Sequence, residues 1–205
     1  MSGVIDVSDI RVQPIMTARI GPSAPFGVQD FAISNFALAA ILTLIVSLGF
    51  GFRLHNLSVD GLSDDELNKV RAVQDYRRNG LTSANGEHPM LMKALLTVSI
   101  VAAERWEKTI SKAGQTTHVI PLESALRFPG VLVGALCSLL IFFVARELFG
   151  IEVAIIAAAF WAFDPSAISF NRIAKEDTFL VFFFFSPTFL VAWPALSGDR
   201  RRSAS

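Results

Sequence analysis

Three groups of residues in this chain have the types and spacing that proton or anion chemistry needs. Asp64-Asp65-Glu66 sets three carboxylates in succession, Glu87-His88-Pro89 sets an acid beside an imidazole, and Arg172 precedes Asp177 by five positions. The first two groups lie in one long polar stretch, residues 53–128, between apolar runs; the third lies in a short polar turn further on. Carboxylates and a histidine held just outside a bilayer can take a proton, hold a metal ion, or grip an anionic headgroup through that metal. Lys93, Arg127 and Arg172 are cations within or beside the same polar segments.

Each of these residues also has a plainer role. Ser63 and Glu66 form a Ser-x-x-Glu capping box, and acids in a first turn are what a helix macrodipole favours, so Asp64-Asp65-Glu66 alone reads as a capped helix start. His88 alone reads as a local hydrogen-bonding residue. Lys93 can snorkel, Arg127 can mark a membrane edge, and Arg172 can pair with Glu176 or Asp177. Only the arrangement of the groups can decide between these roles and chemistry.

The elements that must position them are mostly apolar. Hydrophobic residues make up 52% of the 205, 18 of them phenylalanine, while charged residues are 18% and gather in the tails and the polar stretches. With a mean hydropathy of +0.50, this composition is that of an integral membrane protein. The formal net charge is +0 and no basic-aromatic patch is present, so nucleic acid is not expected as a partner. Cys137 is the single cysteine, which excludes internal disulfides and cysteine-rich metal sites.

Residues 31–52 are long and apolar enough to cross about 30 Å of hydrocarbon, with Arg53 and His55 at the exit. Before them, residues 1–30 read as a flexible cytoplasmic tail, without the pattern of a cleavable signal peptide. Residues 62–79 read as an amphipathic helix with Leu67, Val70, Val73 and Tyr76 on its apolar stripe, stopped by Asn79-Gly80. The apolar run from Met90 to Ala103 is short for a span and suits a helix lying in the interface, with Trp106 at headgroup level. Residues 114–117 read as a polar turn. Further spans are expected at residues 129–149, at 151–163 continuing toward Phe170, and at 178–196, with Pro187 and Pro194 as kinks. Residues 197–205 then form a basic cytoplasmic tail.

Four spans place the N-terminal tail, the Arg146 turn and Arg200-Arg201-Arg202 on one face, as the positive-inside rule requires. The polar stretch 53–128 and the turn at residues 171–177 then share the other, outer face, where their acidic groups can meet. The expectation is an all-α integral membrane protein of about four transmembrane helices, with interfacial amphipathic helices in its first outer loop.

The order of these motifs resembles glycosyltransferase family 39, in the GT-C fold group that includes protein O-mannosyltransferases and the aminoarabinose transferases of lipid A modification. The resemblance extends over residues 36–196. It rests on Asp65-Glu66 in the first outer loop, His88-Pro89-Met90-Leu91-Met92-Lys93, Arg127-Phe128-Pro129 opening a span, and Arg172 with Asp177 in the second outer loop. Met90 and Met92 stand where the family has Pro and Gly, and Asn171 where it has Ser.

The resemblance implies that Asp65 is the catalytic base on the acceptor hydroxyl and Glu66 its partner acid. It further implies that His88, Lys93, Arg127, Arg172 and Asp177 bind substrate, and that the donor is a polyprenyl-phosphate-linked sugar. A divalent metal ion is a candidate cofactor, with Asp65, His88 and Asp177 as candidate ligands. Members of the family are longer and carry more spans, so the resemblance implies only the N-terminal part of the GT-C fold, truncated or completed by a partner chain. The expected function is sugar transfer to a protein or lipid acceptor on the outer membrane face. The alternative is a catalytically inactive membrane-embedded binding or partner subunit. A small transporter is disfavoured, because no acid or arginine lies at mid-span.

Overall fold

The structure, a computed structural model, describes residues 33–80, 82–112 and 119–203, the side chains of residue 188 and of residues 192–203 excepted. The expected tail at residues 1–30 and the expected turn at residues 114–117 lie outside the described residues. Among those described there are seven α-helices and no strand: α1 (Asn35–Leu54), α2 (Asp64–Asn79), α3 (Met90–Lys112), α4 (Leu122–Phe149), α5 (Ile151–Phe163), α6 (Pro165–Asn171) and α7 (Glu176–Ser203).

Two of these helices, α1 and α4, are long and apolar enough to cross a membrane, and α5 with α6 makes a third candidate if the pair, bent by 58°, counts as one span. The fold is that of an all-α integral membrane protein. The fourth expected span, residues 178–196, falls inside α7, which continues as helix through the region expected as a tail up to Ser203. Large apolar side chains exposed along these helices, among them Phe36, Leu44, Phe160 and Leu190, suit contact with acyl chains.

Local chemistry explains the helix ends. Ser63 caps α2 with both halves of the capping box formed, and Gly80 ends it at φ +78°, a left-handed backbone that glycine adopts freely. Asp164 breaks α5 from α6: its side chain accepts a hydrogen bond from Ala167 N at 2.6 Å, and Pro165 starts the new helix. α4 begins at Leu122, two turns before Pro129, where the span was expected to open. Pro129 inside a helix has no N–H for the carbonyl four residues earlier, Ala125. The hydroxyl of Ser99 on α3 fills that gap, donating to Ala125 O at 2.7 Å.

Two apolar clusters hold the helices together. One joins α2, α3, α4 and α7 through Val73, Leu96, Leu126 and Phe179; the other joins α4 and α5 through Phe142, Ala145, Ala154 and Ala158, with Leu38 and Leu42 of α1 packed on it. The α2 stripe differs from expectation. Its buried face carries Glu66, Lys69, Val70, Val73 and Tyr76, whereas Leu67 is 40% exposed. The face has turned because Glu66 is drawn inward by the buried Arg127 of α4.

A candidate active site at the starts of α2 and α7

The two neighbouring acids at the start of α2 have opposite environments. Glu66 is buried and its carboxylate is saturated: Arg127 on α4 donates Nε to Oε1 and Nη2 to Oε2, both at 2.8 Å. The backbone N–H of Ser63 donates to Oε2 at 3.1 Å and that of Ala174 to Oε1 at 3.1 Å. Burial alone would raise the Glu66 pKa, but the Arg127 bonds and the two backbone amides outweigh it and hold the carboxyl at about 2. Arg127 spends its other donors on the carbonyls of Leu57, Asp60 and Gly61. The pair therefore ties α2, α4, the α1–α2 connection and the α6–α7 turn to one point. Neither member has capacity left to move a proton.

Asp65, one position away and so about 100° around the helix, remains 40% exposed at its side chain. Lys69, one turn on, meets Asp65 Oδ2 at 2.5 Å and Glu176 Oε2 at 3.5 Å, and its own side chain is fully buried. His88 stands between the same two acids, with Nε2 at 3.3 Å from Asp65 Oδ1 and Nδ1 at 3.2 Å from Glu176 Oε2. The second of these is a close approach without hydrogen-bond alignment, since both atoms are buried and neither has a hydrogen-bond partner. Burial raises the Glu176 carboxyl, but its own backbone amide, Lys69 and His88 outweigh it, and the net direction is downward.

The four side chains Asp65, Lys69, His88 and Glu176 thus form one cluster from three segments of chain. The polar stretch after α1 and the turn after α6 meet there. The residue of that turn that faces the cluster is Glu176. Asp177, next in the chain, is exposed and lines a separate hollow beside Trp161 and Asp164.

Lys93 and Arg172 sit elsewhere. Lys93 is buried, donates to Ala84 O at 2.8 Å and Asn85 O at 2.7 Å, and lies over the Tyr76 ring at 5.6 Å. It thereby pins the loop that carries His88. Arg172 donates to Asn56 O at 3.0 Å and makes no ion pair with Glu176 or Asp177. Among the described residues no group of three or more His, Cys, Asp or Glu side chains is placed to hold a metal ion. The cation beside Asp65 is the Lys69 ammonium.

Sequence reasoning did not single out Lys69, Glu176, Arg53 or Asn171. Lys69 had a visible signal, since it follows Asp65 at the i,i+4 spacing that pairs charges on a helix. Arg53 had none. Read as a membrane-exit residue, it is fully buried and donates to Asn171 Oδ1, Gly49 O, Ala162 O and Trp161 O at 2.8–2.9 Å. It caps the last turn of α5 and, through Asn171, whose Nδ2 donates to Thr178 Oγ1 at 2.9 Å, secures the turn that delivers Glu176. Asn171 itself fits only because Gly134 has no side chain: a Cβ there would lie 2.3 Å from Asn171 Cγ.

Residues 119–200 match the family model described as dolichyl-phosphate-mannose-protein mannosyltransferase. No curated protein and no solved structure matches the chain. The matched residues include Arg127, Arg172, Glu176 and Asp177, and the loop with Asp65 and His88 precedes them. Together with the helices able to span a bilayer, the match bears out the resemblance read from the motif order: over residues 119–200 the chain carries the sequence pattern of the dolichyl-phosphate-mannose-protein mannosyltransferases, membrane glycosyltransferases that take their sugar from a polyprenyl-phosphate donor.

Proposed function

We propose that this chain takes part in glycosyl transfer from a polyprenyl-phosphate-linked sugar to a hydroxyl of a protein or lipid at the outer face of the membrane, with Asp65 as the general base. The observation that carries the reading is the contrast between adjacent acids. Glu66 is saturated by Arg127 and two amides, while Asp65 is half-exposed and held by Lys69 and His88. A carboxylate that is oriented yet open to solvent is what a base for an incoming hydroxyl requires.

In the transfer, the acceptor oxygen bonds to the anomeric carbon as that carbon's bond to the phosphate oxygen breaks. The bonding pair leaves with the phosphate, and the acceptor proton passes to Asp65. The products are the glycosylated acceptor and the polyprenyl phosphate. His88 and Glu176 are positioning residues for Asp65 in this scheme, Lys93 fixes the His88 loop, and Glu66 with Arg127 fixes the frame. Arg172 is assigned to the donor, as the resemblance implies, while Asp177, which lines a separate hollow, has no role in this scheme.

The test is transfer of labelled sugar from a polyprenyl-phosphate donor by membranes containing the chain. Asp65→Asn is expected to lower the rate by roughly 100-fold or more, the scale of a lost general base. Wild-type transfer by that variant would overturn the assignment. A second reading, a membrane-embedded binding subunit, draws on the family match starting after the Asp65 loop; it expects partner binding that Asp65→Asn leaves unchanged and no transfer by either protein.

A further inference from the structure

Lys69 is among the largest fully buried side chains of the fold, and it carries a charge. Its place follows from helical phase: it lies one turn after Asp65 and shares the inward face of α2 with Glu66, Val70 and Val73. An ammonium taken out of water needs anions beside it. Two carboxylates from separate segments supply them, Asp65 Oδ2 at 2.5 Å and Glu176 Oε2 at 3.5 Å. The other oxygen of Asp65 faces His88 Nε2 at 3.3 Å, so Lys69 and His88 divide that carboxylate between them.

The same two carboxylates are the ones a divalent ion would have to use. The ligand set expected from the resemblance, Asp65, His88 and Asp177, is not assembled, because Asp177 lines the separate hollow beside Trp161 and Asp164. Glu176 does not complete it. His88 turns Nε2 toward Asp65 and Nδ1 toward Glu176, and the lone-pair directions of these two ring nitrogens diverge, so only one of them could reach an ion that both acids share. An ion between the acids, at about 2.0–2.6 Å from their oxygens, would stand where the Lys69 ammonium stands, and a divalent charge beside a fixed ammonium is repelled. The residues present do not fit a divalent metal ion.

We propose that the Lys69 ammonium is the resident cation of this site, standing between Asp65 and Glu176 where a divalent ion would otherwise stand, and that it positions Asp65 without a metal. This rests on the reading of Asp65 as the general base. Lys69 acts through Asp65 and is a positioning residue. Burial locks its stem, and its compact point charge offsets the mutual repulsion of the two acids and draws the starts of α2 and α7 together. Because the cation is tethered to the chain, its occupancy does not depend on the metal content of the medium.

The test uses the full chain in phosphatidylcholine proteoliposomes and follows thermal melting together with sugar transfer per folded molecule. Lys69→Ala removes the ammonium and leaves a hole the size of n-propylammonium. The variant is expected to melt lower and to transfer about 100-fold less, the scale of a misplaced reacting group. Added n-propylammonium should raise both, and n-propanol, of the same size but neutral, should raise neither; equal rescue by the alcohol would make Lys69 a space-filling residue and overturn the proposal. Lys69→Met keeps the length and loses the charge, and serves where Lys69→Ala does not fold: wild-type transfer per folded molecule by Lys69→Met would also overturn it. Melting of the wild type should not move with Mg²⁺ or Mn²⁺, and its transfer should survive EDTA. Stabilisation by Mn²⁺ that disappears in Asp65→Asn would put a metal ion on Asp65 and contradict the assignment. Melting needs no turnover, so amine rescue of melting in a chain that transfers no sugar would remove the transferase reading and keep Lys69 as the resident cation.

Discussion

At the scale of single residues, two adjacent carboxylates have opposite surroundings: Glu66 is buried against Arg127 and Asp65 is partly exposed. Glu66 is held at about 2 against an ordinary value of 4.5. A depressed carboxyl contributes stability that is complete above the unfolded value and is lost as pH falls toward the folded one, so the window is from about 4.5 down to about 2. Its size is on the order of 3 kcal/mol. Melting of the detergent-solubilised chain should therefore fall steeply across that window. Glu66→Gln should melt lower at neutral pH, by roughly 3–5 kcal/mol for a buried pair broken on one side, and should show a flatter acid limb. An unchanged acid limb would place the sensitivity elsewhere. The sequence showed both acids and the capping box, and the capped-helix role is right for Glu66. It could not show which acid is buried, because that depends on Arg127, 61 positions away.

At the scale of elements, the turn between α6 and α7 is held by small-residue contacts that hydropathy does not reveal. Gly134→Ala would drive a methyl group into Asn171, detach Arg53 from it and loosen the turn that carries Glu176. We expect a loss of about 1–3 kcal/mol, as for overpacking. Gly51→Ala on α1, where a Cβ meets nothing within 4 Å, should instead be neutral or gain up to about 1 kcal/mol from helix propensity. Paired thermal melts would separate the two, and equal effects would contradict the packing described. The spans at α1 and α4 were legible from apolar length alone. The early start of α4 was not, because it depends on Ser99 satisfying the carbonyl that Pro129 leaves open.

For the whole molecule, the end of α1, the start of α4 and the α6–α7 turn lie together, so the candidate site occupies one end of the helical assembly. Placement on the outer face has a direct check. Val59 is 71% exposed, and Cys137 is buried, so Val59→Cys adds an accessible thiol without removing another. An impermeant maleimide should label it in intact cells; labelling only after lysis would reverse the orientation. Parity of the apolar runs allowed the two polar segments to meet without requiring it. That they meet through Glu176 and Lys69 rather than Asp177 depends on the helical phase at the start of α7, which residue order does not fix. The most direct measurement of the central claim is turnover by purified Asp65→Asn in proteoliposomes with a polyprenyl-phosphate sugar, normalised to its folded fraction from melting. Asp65→Asn is expected to melt lower than wild type, because the buried Lys69 loses its closest ion pair, and to have lost transfer per folded molecule; transfer retained, or lost only in proportion to unfolding, would show that Asp65 is not the base.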